Sequence, residues 1–131
     1  MATTSIVSTT GLAGIASRIK DATTPAFTYM AVGVSTTAPT LADTTLGSEI
    51  TIAGQSRAAV PAGSITFPSS GQIQWKNTFN FTTVFAVTEL GIFNSLMGGT
   101  MLCRSVWTSP TNVESGTSVE FTALLTLSNG A

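Results

Sequence analysis

Glu89 and Arg104 are the residues of this chain whose types and spacing most invite a chemical reading. They lie in residues 87–107, VTELGIFNSLMGGTMLCRSVW, two apolar runs joined by a glycine-containing loop, with one charge in each run. As an acid and a base they would make a poor device. Arginine does not release its proton in proteins. A neighbouring guanidinium lowers a carboxylate pKa, where acid catalysis needs it raised. The two residues therefore read as a structural ion pair inside a sheet. Arg57, in SRAAV at residues 56–60, is placed to join Glu89 and extend the pair into a small network.

Other reactive chemistry is thin. The chain has no histidine, so the commonest general base and metal ligand is missing. Cys103 is the single cysteine, and its apolar neighbours make it an inert core thiol. Scattered carboxylates give no zinc spacing, and Asp43 in LADTTL lacks the dense Asp/Asn/Gly pattern of a calcium loop. Gly98-Gly99-Thr100 is a hairpin turn needing positive φ, not a phosphate loop, because no lysine follows. No serine has a base partner. Trp75, Trp107 and Tyr29 could form a sugar-stacking platform, but aromatics in a β-rich chain are more often core or interface anchors. The expectation is a protein that is not an enzyme, with no catalytic residue, no metal site and no cofactor.

The whole chain has the same character. Its 131 residues suit one domain. Charged residues make up 8%, against about 25% in ordinary domains. The polar surface is instead hydroxyl, with 24 Thr and 15 Ser. Weak charge repulsion favours association with itself or a partner. A net charge of −1 with dispersed basic residues argues against nucleic-acid binding. No apolar run approaches the roughly 18 residues of a membrane span. The N-terminus has no basic region ahead of its apolar part, as a secretory signal would. The lone cysteine excludes an internal disulfide and points to synthesis in a reducing compartment.

The elements that must position Glu89 and Arg104 are β-strands. Residues 1–22 read as an N-terminal arm with one short helix, and residues 23–131 as the β-sandwich domain. In the arm, Leu12, Ile15 and Ile19 form an apolar stripe over residues 11–21. Thr10 is the expected cap, and two internal glycines weaken the helix. The stripe would serve to reach a neighbouring subunit. Beyond Pro25, runs such as FTYMAVGV, SRAAV, QIQWKNTFNF and VEFTALLTL alternate with turn signals every 8–12 residues or so, the pattern of a sandwich or barrel. In QIQWKNTFNF, Asn77 is the one polar residue on the apolar face. The fold class is all-β, a single antiparallel β-sandwich, jelly-roll-like. Residues 84–93 and 100–107 form a hairpin. The expected register sets Glu89 directly opposite Arg104, since an opposed ion pair is favourable and a buried charge against leucine is costly. Apolar residues on both faces of this hairpin imply that it is covered on both sides.

Three stretches, TPAFTYMAVGVSTTAPTLADTTLGSEI, AVTELGIFN followed by GGTMLCRSVW, and SGTSVEFTALLTLSN, together resemble a group of small structural proteins of tailed bacteriophages. The resemblance covers most of residues 24–129 and brings no catalytic motif. Asp43, Glu49, Arg57, Glu89, Gly91 and Arg104 are the positions that match, as determinants of fold. It implies a virion protein made in the bacterial cytoplasm. It further implies a homo-oligomer, trimer or dimer, whose partners are the major capsid protein or other virion subunits. The expected role is a capsid decoration or cement protein on the head surface. The alternatives are a tail, baseplate or tail-fibre attachment component, and a glycan-binding module. The end of the chain directly after its last strand favours a self-contained module over a fibre that continues into repeats.

Overall fold

The computed structural model describes residues 3–21 and 24–128. The boundary expected at residues 22 and 23 lies outside the described residues. Eight strands and one α-helix follow in the order β1 (Thr3–Val7), α1 (Thr9–Asp21), β2 (Tyr29–Gly33), β3 (Ala58–Ala59), β4 (Ile65–Thr66), β5 (Gln72–Phe81), β6 (Phe85–Phe93), β7 (Met101–Val113) and β8 (Thr117–Thr126). They form a five-stranded antiparallel sheet, β1-β7-β6-β2-β3, and a three-stranded one, β4-β5-β8. The expected all-β sandwich with one short helix is what the chain forms, its strands divided five and three.

The three-stranded sheet follows directly from period-2 patterning. In β5, Trp75, Phe79 and Phe81 are buried while Lys76, Thr78 and Asn80 are exposed. In β8, Phe121 and Ala123 are buried while Ser118, Glu120, Thr122, Leu124 and Thr126 are exposed. The inner rows meet in an aromatic cluster. Phe121 packs edge-on to Phe79 and Phe81 at 6.0 and 6.4 Å and stacks on Trp107 at 6.1 Å. Asn77, the polar exception, is half-buried, and its side-chain oxygen accepts the Thr78 N–H at 3.1 Å.

Trp75 and Trp107 are therefore core residues, 2% and 8% exposed. The Trp75 indole N–H donates to the Phe27 carbonyl at 2.8 Å. Tyr29 is half-buried against a cluster of Ala31, Leu46, Phe93 and Met101. Both indole rings belong to the cluster between the two sheets, whereas Tyr29 packs in the separate cluster on the outer face, so the three do not share one sugar-stacking platform.

The five-stranded sheet is covered on both faces, as the two-sided apolar pattern requires. Every residue of β6 from Val87 to Phe93 is buried. Met30, Val32, Leu90 and Ile92 face the three-stranded sheet. Ala31, Phe93, Met101 and Leu46 pack on the other side. Leu46 belongs to the loop at residues 34–50, so the outer cover comes from the chain's own loop.

The N-terminal segment is extended as expected, but it is not a free arm. β1 pairs with β7, from Thr3 opposite Trp107 to Val7 opposite Cys103. The expected cap at Thr10 is corrected to Ser8, whose buried hydroxyl accepts the Gly11 N–H at 3.1 Å. The cap shifts because α1 starts two residues earlier than its apolar stripe. Gly11, a weak helix former, is required where it stands, since a Cβ there would run into the Leu102 carbonyl of β7. Of the stripe, Ile15 packs on the core, while Leu12 and Ile19 are exposed.

Removing the ring at the centre of the aromatic cluster tests this packing. Phe121→Ala should destabilise the fold by about 3–5 kcal/mol, read as a lower urea midpoint. A variant as stable as the parent would contradict the shared core.

Candidate functional site

The β6–β7 hairpin holds Glu89 and Arg104 on one face, in a register other than the expected one. Glu89 stands opposite Val106, and Gly91 opposite Arg104. This is two residues away from the expected pairing, so the faces are preserved and the two charges become diagonal neighbours. Long side chains span that diagonal. Arg104 Nε reaches Glu89 Oε1 at 2.9 Å. The ladder is irregular at two places, near Thr88 and near Leu102. Bulges re-aim side chains in this way, and pattern alone did not reveal them. Gly98 and Gly99 close the turn with φ of +60° and +71°, as expected.

Glu89 does more than face an arginine. Its side chain is 0% exposed. Oε1 also accepts the Gly47 N–H at 2.9 Å, and Oε2 accepts those of Ser35 and Ser48 at 3.0 and 2.7 Å. Three backbone donors of the 34–50 loop thus converge on one carboxylate. Gly33, opposite Glu89 across β2, leaves the room, since a Cβ there would come within 2.5 Å of Oε2. Arg104 completes the arrangement from the other side. Its Nη1 donates to Asp43 Oδ2 at 2.9 Å and its Nη2 to the Thr37 carbonyl at 3.0 Å. Thr88 Oγ1 donates to the Ser35 carbonyl at 2.7 Å.

Asp43 holds the middle of the loop. It accepts the Thr40 backbone N–H at 3.0 Å and the Thr40 hydroxyl at 2.9 Å. The Thr40 backbone bond, helped by the Thr40 hydroxyl and by Arg104, holds its carboxyl below the usual range, against the opposing pull of desolvation. The loop also bonds the start of α1, Thr9 N–H to Leu41 carbonyl at 2.9 Å.

Arg57 does not join Glu89, contrary to the expected network. It forms its own two-pronged pair with Glu49, at 3.1 and 2.8 Å. Its Nη1 donates to the carbonyls of Ser95 and Gly98 at 3.1 and 2.9 Å, and its guanidinium lies 3.5 Å over the Phe93 ring. The planar fork of arginine suits this combination of carboxylate and ring. Arg57 thus grips the turn of the hairpin whose stem holds Arg104. Glu89 was already satisfied by the loop, and Glu49 follows directly after the loop donors.

Chemically, this site orders backbone. The Glu89 lone pairs are taken up by four donors and shut away from solvent, which leaves no face for a substrate. Burial pushes the Cys103 thiol up to about 11, so little nucleophilic thiolate forms near neutral pH. Among the described residues, no group of three or more His, Cys, Asp or Glu side chains gathers as a metal site. The backbone donors Ser35, Gly47 and Ser48 carried no signal in the sequence. The loop containing them read as a turn-rich connection, and nothing in its residue types names a distant acceptor. Asp43 and Glu49 were visible only through the family resemblance.

The model of the family described as podophage GP4 fiber I protein gp80 matches residues 4–126. No curated protein matches the chain. The family match spans nearly all of the chain, and the chain belongs to that family: it is a structural protein of a tailed-phage virion.

Two outcomes follow from the site. Glu89→Ala should cost about 3–5 kcal/mol, the usual loss when one partner of a buried pair is removed. Exchanging the charges, Glu89→Arg with Arg104→Glu, should give no rescue in denaturant melts, because three loop N–H groups still lose their acceptor. Recovery in the double variant would mean that the ion pair, and not the loop, is what Glu89 serves. The second concerns acid. A depressed folded pKa at Asp43 contributes stability that is complete above the unfolded value, about pH 3.9, and is lost as pH falls through the lower folded value. Asp43→Asn should therefore flatten the fall in melting temperature below about pH 4. An unchanged acid slope would contradict that assignment.

Proposed function

We propose that this member of the gp80 fibre family is a building unit of the phage tail fibre, acting as a rigid spacer and attachment module and carrying out no chemical step. The observation that carries the reading is the family match over residues 4–126, to proteins described as fibre components. It supports the tail alternative over capsid decoration, for which the fold offers no specific feature.

The geometry suits such a unit. A fibre subunit transmits force and must hold its shape without a ligand. The buried aromatic cluster and the three arginine–carboxylate pairs stiffen different parts of one small sandwich. The exposed face of β5 and β8 is mostly hydroxyl and amide side chains, with Lys76, Glu120 and Leu124 among them. Close packing against other subunits there has only two charges to desolvate. The partners in this reading are other virion proteins of the tail, and the site of action is the assembled particle.

Antibody against the purified protein, applied to intact virions and viewed by electron microscopy, distinguishes the two places. Label confined to the tail region is expected. Label distributed over the head would return the protein to the capsid surface.

A further inference from the structure

β8 forms one border of the three-stranded sheet. It pairs with β5 through ten consecutive residue pairs, Gln72 with Thr126 to Phe81 with Thr117. Among the described residues, no strand lies on its other side. The hydrogen bond from Leu127 N–H to the Gly71 carbonyl at 2.7 Å sets the phase of this ladder. By the alternation of an antiparallel pair, the odd-numbered residues bond β5. Ser118, Glu120, Thr122, Leu124 and Thr126 then turn their backbone N–H and C=O groups to the open edge. Exposed edges are normally blunted by charged side chains, lysine above all, by proline, bulges or shortness. β8, TSVEFTALLT, has one charge, Glu120, and no lysine or proline, and its register runs without a shift.

A second observation lies beside this edge. A groove of about 410 Å³ is lined by Ser5, Leu90, Ser105 and Trp107 of the five-stranded sheet and by the residues of β8 from Glu120 to Leu124. Trp107 is 8% exposed. Its indole N–H is the one buried side-chain polar group among the described residues that has no acceptor. Native interiors rarely leave such a group unpaired. Open backbone, a groove of mixed polar and apolar walls and an unanswered donor all meet at one border of the sandwich.

We propose that β8 is a subunit interface at which two copies of this chain pair antiparallel, β8 to β8, joining their three-stranded sheets into one continuous sheet. A twofold axis normal to the sheet keeps outward residues opposite outward residues, as pairing requires. With Phe121 on the axis, Glu120 of each copy stands opposite Thr122 of the other, a carboxylate beside a hydroxyl donor, and the two Glu120 are not opposed. Val119 then meets Ala123, so the inner apolar row continues into the groove beside Trp107. A net charge of −1 sets little repulsion against the pairing. The second copy carries the complementary edge. This interface does not depend on where in the virion the protein sits.

The test is sedimentation equilibrium of the full chain, with Thr122→Pro and Leu124→Lys beside it. Residues 122 and 124 direct their N–H groups outward, so Thr122→Pro removes an edge donor without breaking the β5 ladder. Leu124→Lys blunts the edge with charge and keeps every backbone donor. A dimer for the parent and monomers for both variants, each with the parent's circular dichroism, is expected. If Thr122→Pro fails to fold, Leu124→Lys decides alone. The Trp107 indole N–H should exchange more slowly in the dimer than in Leu124→Lys, with Trp75, bonded within the core, unchanged between them. A monomeric parent, or a dimer that survives Leu124→Lys, would overturn the proposal.

Discussion

One carboxylate, buried at the outer face of the central strand β6, organises half of this molecule. Glu89 gathers three backbone N–H groups of the 34–50 loop and the guanidinium of Arg104. A charge in that position is tolerable only if fully paired and hydrogen-bonded. The loop meets that condition, and it is itself held in place by doing so. Leu46 can then cover the outer face of the five-stranded sheet, and Asp43 can complete the shell around Arg104. Without Glu89, the loop would have backbone donors to bury and no acceptor for them.

This arrangement accounts for what the sequence did and did not disclose. Alternation in QIQWKNTFNF marked the inward row of β5, with Asn77 as its exception, and VEFTALLTL was legible as a strand. The apolar character of both faces around Leu90 correctly implied cover on both sides. The same pattern could not locate the irregularities of the β6–β7 ladder, since extra residues on one strand preserve composition while they re-aim side chains. The turn pair, Phe93 with Met101, and the irregularity near Leu102 each move the register by one, so the pairing was missed by two residues while the facing of Glu89 and Arg104 was right. The partner of Arg57 was missed for another reason. Three carboxylates, Asp43, Glu49 and Glu89, compete for two arginines, and only the path of the loop decides among them.

Backbone demands also explain residues that look unfavourable on propensity. Gly11 weakens α1 as a helix but admits it against the Leu102 carbonyl. The N-terminal segment, too polar to bury by itself, is held by pairing with β7 and by the Ser8 cap. The resulting protein commits Asp43, Glu49, Arg57, Glu89 and Arg104 to internal ion pairs and presents hydroxyl-rich faces and an open β8 edge. Those are properties of an assembling unit, and they agree with membership of a phage fibre family. The ion pairs belong to the making of the fold.

The central claim is that Glu89 acts as the acceptor that orders the 34–50 loop, and not merely as a tie between two strands. Amide hydrogen exchange of Ser35, Gly47 and Ser48 in the parent and in Glu89→Gln tests it most directly. The account predicts strong protection of all three amides in the parent. It predicts a marked loss at these positions in the variant, with the amides of β5 still protected. Equal protection of the three amides in both proteins would contradict it.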